Sequence, residues 1–161
     1  MLNLFLLRHG KASKIADSGQ DYDRELNKKG TAQCNQIGYI LREEGVKIDH
    51  VISSAAVRTF QTTKIVSHFL NVNDCSFFEE LYLADVDRIV HAITKYGKGS
   101  NLLYVGHNFG ISNVTDYLTG EMTQMSTGQL LHITFDIENW HMISSRTGMA
   151  NRTIIPDVYA F

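Results

Sequence analysis

The stretch Leu2-Asn-Leu-Phe-Leu-Leu-Arg8-His9-Gly10 decides the fold of this chain. Its apolar run is broken only by Asn3 and stops abruptly at Arg8, His9 and Gly10. A short apolar run that ends at a glycine is typical of a strand buried on both faces, as in a parallel α/β sheet. Because ligands of open α/β sheets bind at the carboxyl ends of the strands, Arg8 and His9 are predicted to face a site. Gly10 allows the backbone to turn there and to approach a ligand closely.

A second stretch repeats this pattern about a hundred residues later. Leu102-Leu-Tyr-Val105 is another apolar run, and it stops at Gly106, His107 and Asn108. An Arg-His-Gly tripeptide alone is common by chance and fits a strand that simply ends in a basic turn. Two strands that each end at a histidine predict instead that His9 and His107 project into one crevice.

The bulk composition is that of an ordinary globular protein. The chain has 161 residues, of which 43% are hydrophobic and 20% charged, so we expect a single domain over residues 1–161 with its own core. The net charge of -2 argues against broad electrostatic binding to nucleic acid or to an acidic membrane surface. No segment has transmembrane length and the N-terminus lacks the pattern of a signal peptide, so the expected location is the cytoplasm.

The two cysteines, Cys34 and Cys75, lack the spacing of a ligand set. Neither a CxxC pair nor a Cys/His pattern is present. They fit two packing thiols in a reducing compartment better than a disulfide or a zinc site.

Apolar periodicity predicts an α/β fold, a three-layer sandwich whose central sheet is mostly parallel with antiparallel edge strands. Ser53 and Ser54 are expected to cap the second helix. A polar segment from Lys11 to about Asn27 is predicted to be a long loop, a feature that is usually functional or disordered. The predicted helices cover about 30–44, 86–95 and 109–118, together with one that begins near Ser54 and runs to Leu70. The further predicted strands are 50–54, 75–78 and a hairpin of 129–135 with 140–145.

A third basic residue is predicted near the two histidines. Arg58 lies about one turn into the helix that follows the strand 50–54, at another strand exit. Helix N-termini attract phosphate, and two guanidiniums can hold phosphoryl oxygens through paired hydrogen bonds. One neutral imidazole can then attack phosphorus and carry the phosphoryl group, while the other stabilises charge or handles protons.

Five segments of the chain, in this order and spacing, resemble the histidine phosphatase superfamily, which has the phosphoglycerate mutase-like fold. The specific similarity is to phosphohistidine phosphatases of the SixA type, and it covers essentially the whole chain. The opening segment, LFLLRHGKAS, is similar to the nucleophile motif of that family. The other four are DYDRELNKKGTAQ, VISSAAVRTFQT with the second arginine, LLYVGHNFGIS with the second histidine, and MSTGQL.

The resemblance implies a phosphatase that forms a covalent phosphohistidine on His9 and uses no metal or organic cofactor. Arg8, Arg58 and His107 would complete the phosphate pocket. Asn108 and Ser13 are further candidates for phosphate contacts, although Asn108 fits equally a helix cap and Ser13 a turn hydroxyl. The short chain implies an open site without a lid, which suits either a phosphorylated protein side chain or a small phosphomonoester.

The sequence departs from the mutase-like branch at its general acid. Leu83 occupies the place of the expected glutamate, although Glu80 or Asp85 could substitute. An imidazole needs less help from an acid than an alkoxide does, so the leading hypothesis is hydrolysis of phosphohistidine on proteins. A phosphatase of small phosphomonoesters and a non-catalytic phosphate-binding module remain the alternatives. The sequence leaves the end, Tyr159 to Phe161, open between an ordered and a frayed tail.

Overall fold

The computed structural model describes residues 1–157, which form a six-stranded sheet with helices on both faces. In the order β3-β2-β4-β1-β5-β6, the first four strands are parallel, and β5 runs antiparallel to both β1 and β6. This confirms the predicted α/β fold. The strands are β1 (Leu2–Arg8), β2 (His50–Ser54), β3 (Cys75–Phe78), β4 (Asn101–Gly106), β5 (Leu130–Phe135) and β6 (Gly148–Ile154), and the helices are α1 (Lys28–Glu43), α2 (Val57–Leu70), α3 (Val86–Tyr96) and α4 (Gly110–Thr119).

β1 lies inside the sheet and is buried on both faces, as its apolar run predicts. Leu4 and Leu6 belong to the core on the side of α3 and α4, whereas Phe5 and Leu7 pack into the core beneath α1 and α2. Burial of each such side chain stabilises the fold by about 1.5–3 kcal/mol. The strand is therefore the common wall of two apolar cores, and its carboxyl end is held firmly.

The pairing of β1 with β4 places the two histidine-bearing ends side by side. In the parallel register Arg8 pairs with Gly106, and the His9 amide donates to the Gly106 carbonyl at 3.1 Å. His9 and His107 thus leave neighbouring strands at the same level.

The predicted cap of α2 is wrong. Ser53 and Ser54 are the last residues of β2 and are fully buried, while Ala56 occupies the N-cap position without a side-chain hydrogen bond. The Ser54 hydroxyl accepts the Ala56 N–H at 3.3 Å, inside the connection that precedes the helix. The hydroxyl faces the crevice at the strand ends, a position that sequence spacing does not reveal.

The prediction of a second hairpin strand at residues 140–145 is also wrong. Residues 140–142 form a short 3-10 helix because the Asn139 side chain accepts the His141 N–H and Trp140 is buried, its indole N–H donating to the Gly99 carbonyl at 2.9 Å. The partner of β5 is β6, further along the chain. The sequence did not predict β6 as a strand because its residues are exposed or half-buried and do not form an apolar face.

Both cysteines of the described chain are free, and Cys34 is buried as predicted. No helix within residues 1–157 is long and apolar enough to cross a membrane. The alternatives for the tail, Tyr159 to Phe161, lie outside the described residues.

Candidate active site

His9 lies at the carboxyl end of β1 and is 6% exposed. Its Nδ1 is 2.7 Å from the carbonyl oxygen of Gly10. A carbonyl oxygen only accepts hydrogen bonds, so Nδ1 carries the ring proton and Nε2 keeps its lone pair. The Arg58 Nε–H donates to this Nε2 at 3.3 Å, which requires the same tautomer. The geometry therefore presents Nε2 as a nucleophilic nitrogen.

Arg58 reaches His9 from the first turn of α2 and is 2% exposed. Its Nη1 donates to the Asp21 carbonyl at 2.8 Å and its Nη2 to Asp21 Oδ2 at 3.0 Å. The guanidinium is thus held by a loop residue on one edge while its Nε–H faces the imidazole. A planar group fixed in this way is ready to contact an oxyanion without losing further side-chain freedom.

His107 lies at the end of β4, with its ring centroid 5.2 Å from that of His9. Its Nε2 is 2.8 Å from the Ser54 hydroxyl oxygen, while its Nδ1 is buried and has no partner. The edge of the Tyr82 ring packs against it, at 5.4 Å between centroids. The second histidine is therefore fixed on one side and unpaired on the other.

Arg8 closes the pocket from the end of β1. Its Nη1 donates to the Met125 carbonyl at 2.8 Å, and its Nε is buried without a partner. Among residues 1–157, five buried side-chain polar atoms lack a partner, and two of them, Arg8 Nε and His107 Nδ1, belong to this pocket. Since buried polar groups are nearly always paired, these two atoms mark a place for a ligand that accepts hydrogen bonds.

Both imidazoles are neutral in this environment. Burial, together with the positive charges of Arg58 and Arg8, lowers the pKa of His9 to about 3. Burial lowers the pKa of His107 to about 2, with contributions from His9 and Arg58. Burial and Arg58 also lower the pKa of Arg8, which nevertheless remains a cation. The pocket therefore combines two guanidinium charges with two neutral imidazoles.

The backbone behind His9 is packed against two other segments of the chain. A Cβ on Gly10 would lie 2.6 Å from the Gly30 carbonyl oxygen, so the glycine is required for contact with α1. The sequence predicted that Gly10 lets the backbone approach a ligand closely, whereas the segment that approaches Gly10 in the structure is α1. Gly128, at φ 74°, donates its N–H to the carbonyls of Arg8 and His9 at 3.1 and 2.9 Å. These contacts fix the strand end that carries His9.

Asp21 and Tyr82 belong to the site although the sequence did not assign them to it. Tyr82 donates its hydroxyl hydrogen bond to Asp21 Oδ2, the oxygen that also accepts from Arg58. Arg24 donates to Asp21 Oδ1 at 2.8 Å. The Tyr82 hydrogen bond, with the charge of Arg58 and the Arg24 contact, lowers the pKa of Asp21 to about 2. In the sequence, Asp21 was included only in the motif that begins DYDRELN, and that motif assigned it no role in the site.

The remaining candidates lie outside the set of contacts around His9. Asn108 accepts a hydrogen bond from the Ser112 hydroxyl of α4, and Ser13 lines a separate cavity in the loop with residues such as Asp23 and Glu25. Their predicted phosphate contacts stay predictions.

The predicted substitutes for the general acid have other surroundings. Asp85 accepts the Arg88 N–H as the N-cap of α3, and Glu80 is exposed and lines a cavity with Asp87 and Arg88. Leu83 is 52% exposed. The carboxylate that does hydrogen-bond into the site is Asp21, and its low pKa leaves it without a proton to donate at neutral pH.

The class of protein that the fold and the pocket indicate is an α/β protein in which guanidinium groups and neutral imidazoles meet at the strand ends, an arrangement suited to an oxyanion. Comparison with known families agrees, since residues 4–92 match the model of the histidine phosphatase superfamily (branch 1). The chain belongs to this superfamily. Within residues 1–157, no group of three or more His, Cys, Asp or Glu residues is arranged to hold a metal ion.

Three known proteins illustrate the relationship. An uncharacterized chloroplastic protein of Arabidopsis thaliana is 31% identical over 136 residues, which are 77% of this chain; the chain spans 62% of that relative. The structure of SixA from Nakamurella multipartitia superposes with a TM-score of 0.86 at 22% identity, over 98% of this chain and 97% of the other. The protein histidine phosphatase SixA complexed with tungstate gives 0.82 at 24% identity, over 96% and 97%. The last two similarities establish the fold.

Proposed function

We propose that the protein is a phosphatase that hydrolyses phosphohistidine on proteins through a covalent intermediate on His9. The observation that carries the proposal is the environment of His9 Nε2. This lone pair faces the Arg58 Nε–H at 3.3 Å, in a pocket where Arg8 Nε and His107 Nδ1 are buried without partners. A phosphoryl group supplies the oxygens that such donors need and the phosphorus that such a lone pair attacks.

The reaction needs two displacements at phosphorus. In the first, the Nε2 lone pair forms a bond to phosphorus while the bond to the leaving group breaks, and the leaving group takes the electron pair. In the second, water attacks the phosphorylated His9, loses a proton and releases inorganic phosphate, which returns the lone pair to Nε2. Arg8, Arg58 and His107 stabilise the charge of the phosphoryl oxygens in both steps.

The absence of a usable acid among the described contacts favours an imidazole leaving group. Asp21, with a pKa of about 2, is an anion at neutral pH, and Asp85 is engaged as a helix cap. An alkoxide needs a proton as it leaves, whereas an imidazole can leave already protonated. The fold similarity to the protein histidine phosphatase SixA is consistent with this substrate.

The test is to trap and map the phosphoenzyme. Turnover of an aryl phosphate, quenched without acid, should give an intact-mass increase of one phosphoryl group, located on His9 and absent from His9→Ala. Labelling of another residue, or full activity of His9→Ala, would rule out the mechanism.

A comparison of substrates tests the specificity separately. Turnover of a phosphohistidine peptide should exceed that of a panel of sugar and cofactor phosphates. Clear preference for one metabolite would favour the small phosphomonoester phosphatase, and phosphate binding without turnover would favour the non-catalytic module. We infer a single catalytic domain that acts in the cytoplasm on a phosphorylated protein partner.

A further inference from the structure

We propose that Ser54 is a positioning residue that fixes the tautomer of His107, so that His107 Nδ1–H is presented to the phosphoryl group. The inference rests on the proposed function for its catalytic meaning, but its structural part can be measured without turnover. Ser54 is not one of the residues that the family resemblance singled out. It enters the site because β2 ends beside β4, which brings its hydroxyl to 2.8 Å from His107 Nε2.

The hydrogen bonds of the Ser54 hydroxyl determine which way this contact runs. The hydroxyl is fully buried and has two partners: the Ala56 N–H, which donates to it at 3.3 Å, and His107 Nε2. An amide N–H is only a donor, so the Ser54 oxygen must accept from Ala56. The remaining hydroxyl proton then has His107 Nε2 as its acceptor, which places the ring proton of neutral His107 on Nδ1.

The opposite tautomer of His107 would leave two buried groups without a hydrogen-bond partner. If Nε2 carried the proton, the Ser54 oxygen would accept from both Ala56 and His107, and its own proton would be buried with no acceptor. His107 Nδ1, which has no partner in either tautomer, would be unpaired as well, so two groups rather than one would lack a hydrogen bond. Buried polar groups without partners are unfavourable, so the Nδ1–H tautomer is selected.

The selected tautomer gives the orphaned Nδ1 a function. An N–H that is buried without a partner is a donor already desolvated and oriented before the substrate binds. Such preorganised donors stabilise the negative charge on the phosphoryl oxygens during transfer. Without the Ser54 proton, His107 would divide between its two tautomers, and the rate would fall with the fraction that still carries Nδ1–H.

The neighbouring Ser53 provides a matched control. Ser53 is also fully buried at the end of β2, but its hydroxyl donates to the Ser54 carbonyl at 2.9 Å and, within residues 1–157, makes no hydrogen bond with His107. Ser53→Ala and Ser54→Ala therefore delete the same group at adjacent buried positions. A general loss of stability would affect both variants, whereas a change in the His107 tautomer is expected only for Ser54→Ala.

The experiment is long-range ¹H–¹⁵N correlation NMR of histidine-labelled protein, with the His107 signals assigned from their absence in His107→Asn. In the wild type, Nδ1 should give the protonated-nitrogen signal and Nε2 the unprotonated one, and titration with inorganic phosphate should shift the Nδ1 proton. Ser54→Ala should move both signals toward the average of the two tautomers and reduce kcat for an aryl phosphate about twofold, in line with the fraction that keeps Nδ1–H. Ser53→Ala should retain the wild-type signals, and Ser54→Thr, which keeps the hydroxyl, should retain both the wild-type signals and the wild-type kcat.

A protonated Nε2 in the wild type, or unchanged His107 signals in Ser54→Ala, would overturn the proposal. So would an equal shift in Ser53→Ala. A wild-type protein without any turnover would refute the proposed function, while the tautomer measurement would still decide the role of Ser54.

Discussion

The ends of β1 and β4 carry the same kind of residue at the same level of the sheet, yet the two histidines have opposite hydrogen-bonding roles. At the end of β1, the Gly10 carbonyl accepts from Nδ1 of His9 and leaves Nε2 as a lone pair, which faces the Arg58 Nε–H at 3.3 Å. At the end of β4, Ser54 binds Nε2 of His107 and leaves Nδ1 without a partner. One imidazole is thus prepared to attack and the other to donate.

The two arrangements also differ in what fixes them. The tautomer of His9 depends on a backbone carbonyl one residue away, so no side-chain substitution removes its acceptor. The tautomer of His107 depends on a side chain 53 residues away in the sequence. The His9 tautomer is therefore fixed by local geometry, whereas that of His107 depends on the packing of β2 beside β4. This difference can be tested by substitution.

The largest effect is expected from a pair of amide substitutions at His107. An asparagine amide lies near the position of Nδ1 and a glutamine amide near that of Nε2. His107→Gln should lose the donor to the phosphoryl group and reduce kcat for an aryl phosphate about 10²–10³-fold. His107→Asn retains a donor there and should lose only about tenfold.

His107→Gln, the less active of the two variants, should be the more stable one. His107→Gln keeps a partner for the Ser54 hydroxyl, whereas His107→Asn leaves that hydroxyl unpaired and should lower the free energy of unfolding by about 1 kcal/mol more. Steady-state kinetics and urea denaturation measure the two rankings. If the Gln variant were the more active one, His107 would act through Nε2, and the contrast between the two strand ends would be wrong.

An intermediate effect is expected in the pH dependence of stability. Both histidines have a pKa far below the value of about 6.5 that they take in the unfolded chain. As the pH falls from about 6.5 toward about 3, the unfolded chain binds protons that the folded chain excludes, so the free energy of unfolding decreases. Each buried imidazole contributes a slope of about 1.4 kcal/mol per pH unit in that window.

The slope is measured by urea denaturation between pH 4 and pH 6. His9→Gln and His107→Asn should each reduce the slope by about 1.4 kcal/mol per pH unit, the contribution of one proton. Ser53→Ala removes no titratable group and should leave the slope as in the wild type. A wild-type slope retained in both histidine variants would mean that neither imidazole is held neutral by the fold.

Local patterns were sufficient to predict most of the fold and the centre of the site. The bounds of β2 and β3 were predicted to the residue, because each combines an apolar pattern with a polar boundary. The end of α2 at Leu70 was predicted as well, but its start was placed near Ser54, ahead of the observed Val57. Arg8, His9, Arg58 and His107 could be placed together because the carboxyl ends of parallel strands meet at one edge of a sheet. These features depend on short-range sequence and on a general property of the fold.

The remaining contacts of the site depend on packing between distant segments. Asp21 and Tyr82 are 61 residues apart in sequence, and they meet only because the loop after β1 folds against α2 and the segment before α3. Ser54 was predicted to end β2 and to cap the next helix; the strand does end there, but the hydroxyl lies against His107 at the end of β4 and does not cap α2. No periodicity in either segment encodes these partners.

The smallest effect is expected on the third component of the pocket, the support of Arg58. Tyr82→Phe keeps the ring that packs against His107 but deletes the hydrogen bond to Asp21, so Arg58 is held less firmly while the environments of both histidines are preserved. We expect kcat/KM for an aryl phosphate to fall a few-fold, and the His107 NMR signals to stay those of the Nδ1–H tautomer. Tyr22→Phe is the matched control, because Tyr22 contacts the Tyr82 ring edge-on at 5.0 Å and its hydroxyl makes no hydrogen bond among the described residues. A loss as large as that of His107→Gln would mean that Asp21 and Tyr82 take part in the chemistry itself, and the pocket would then have three functional groups to distinguish rather than two.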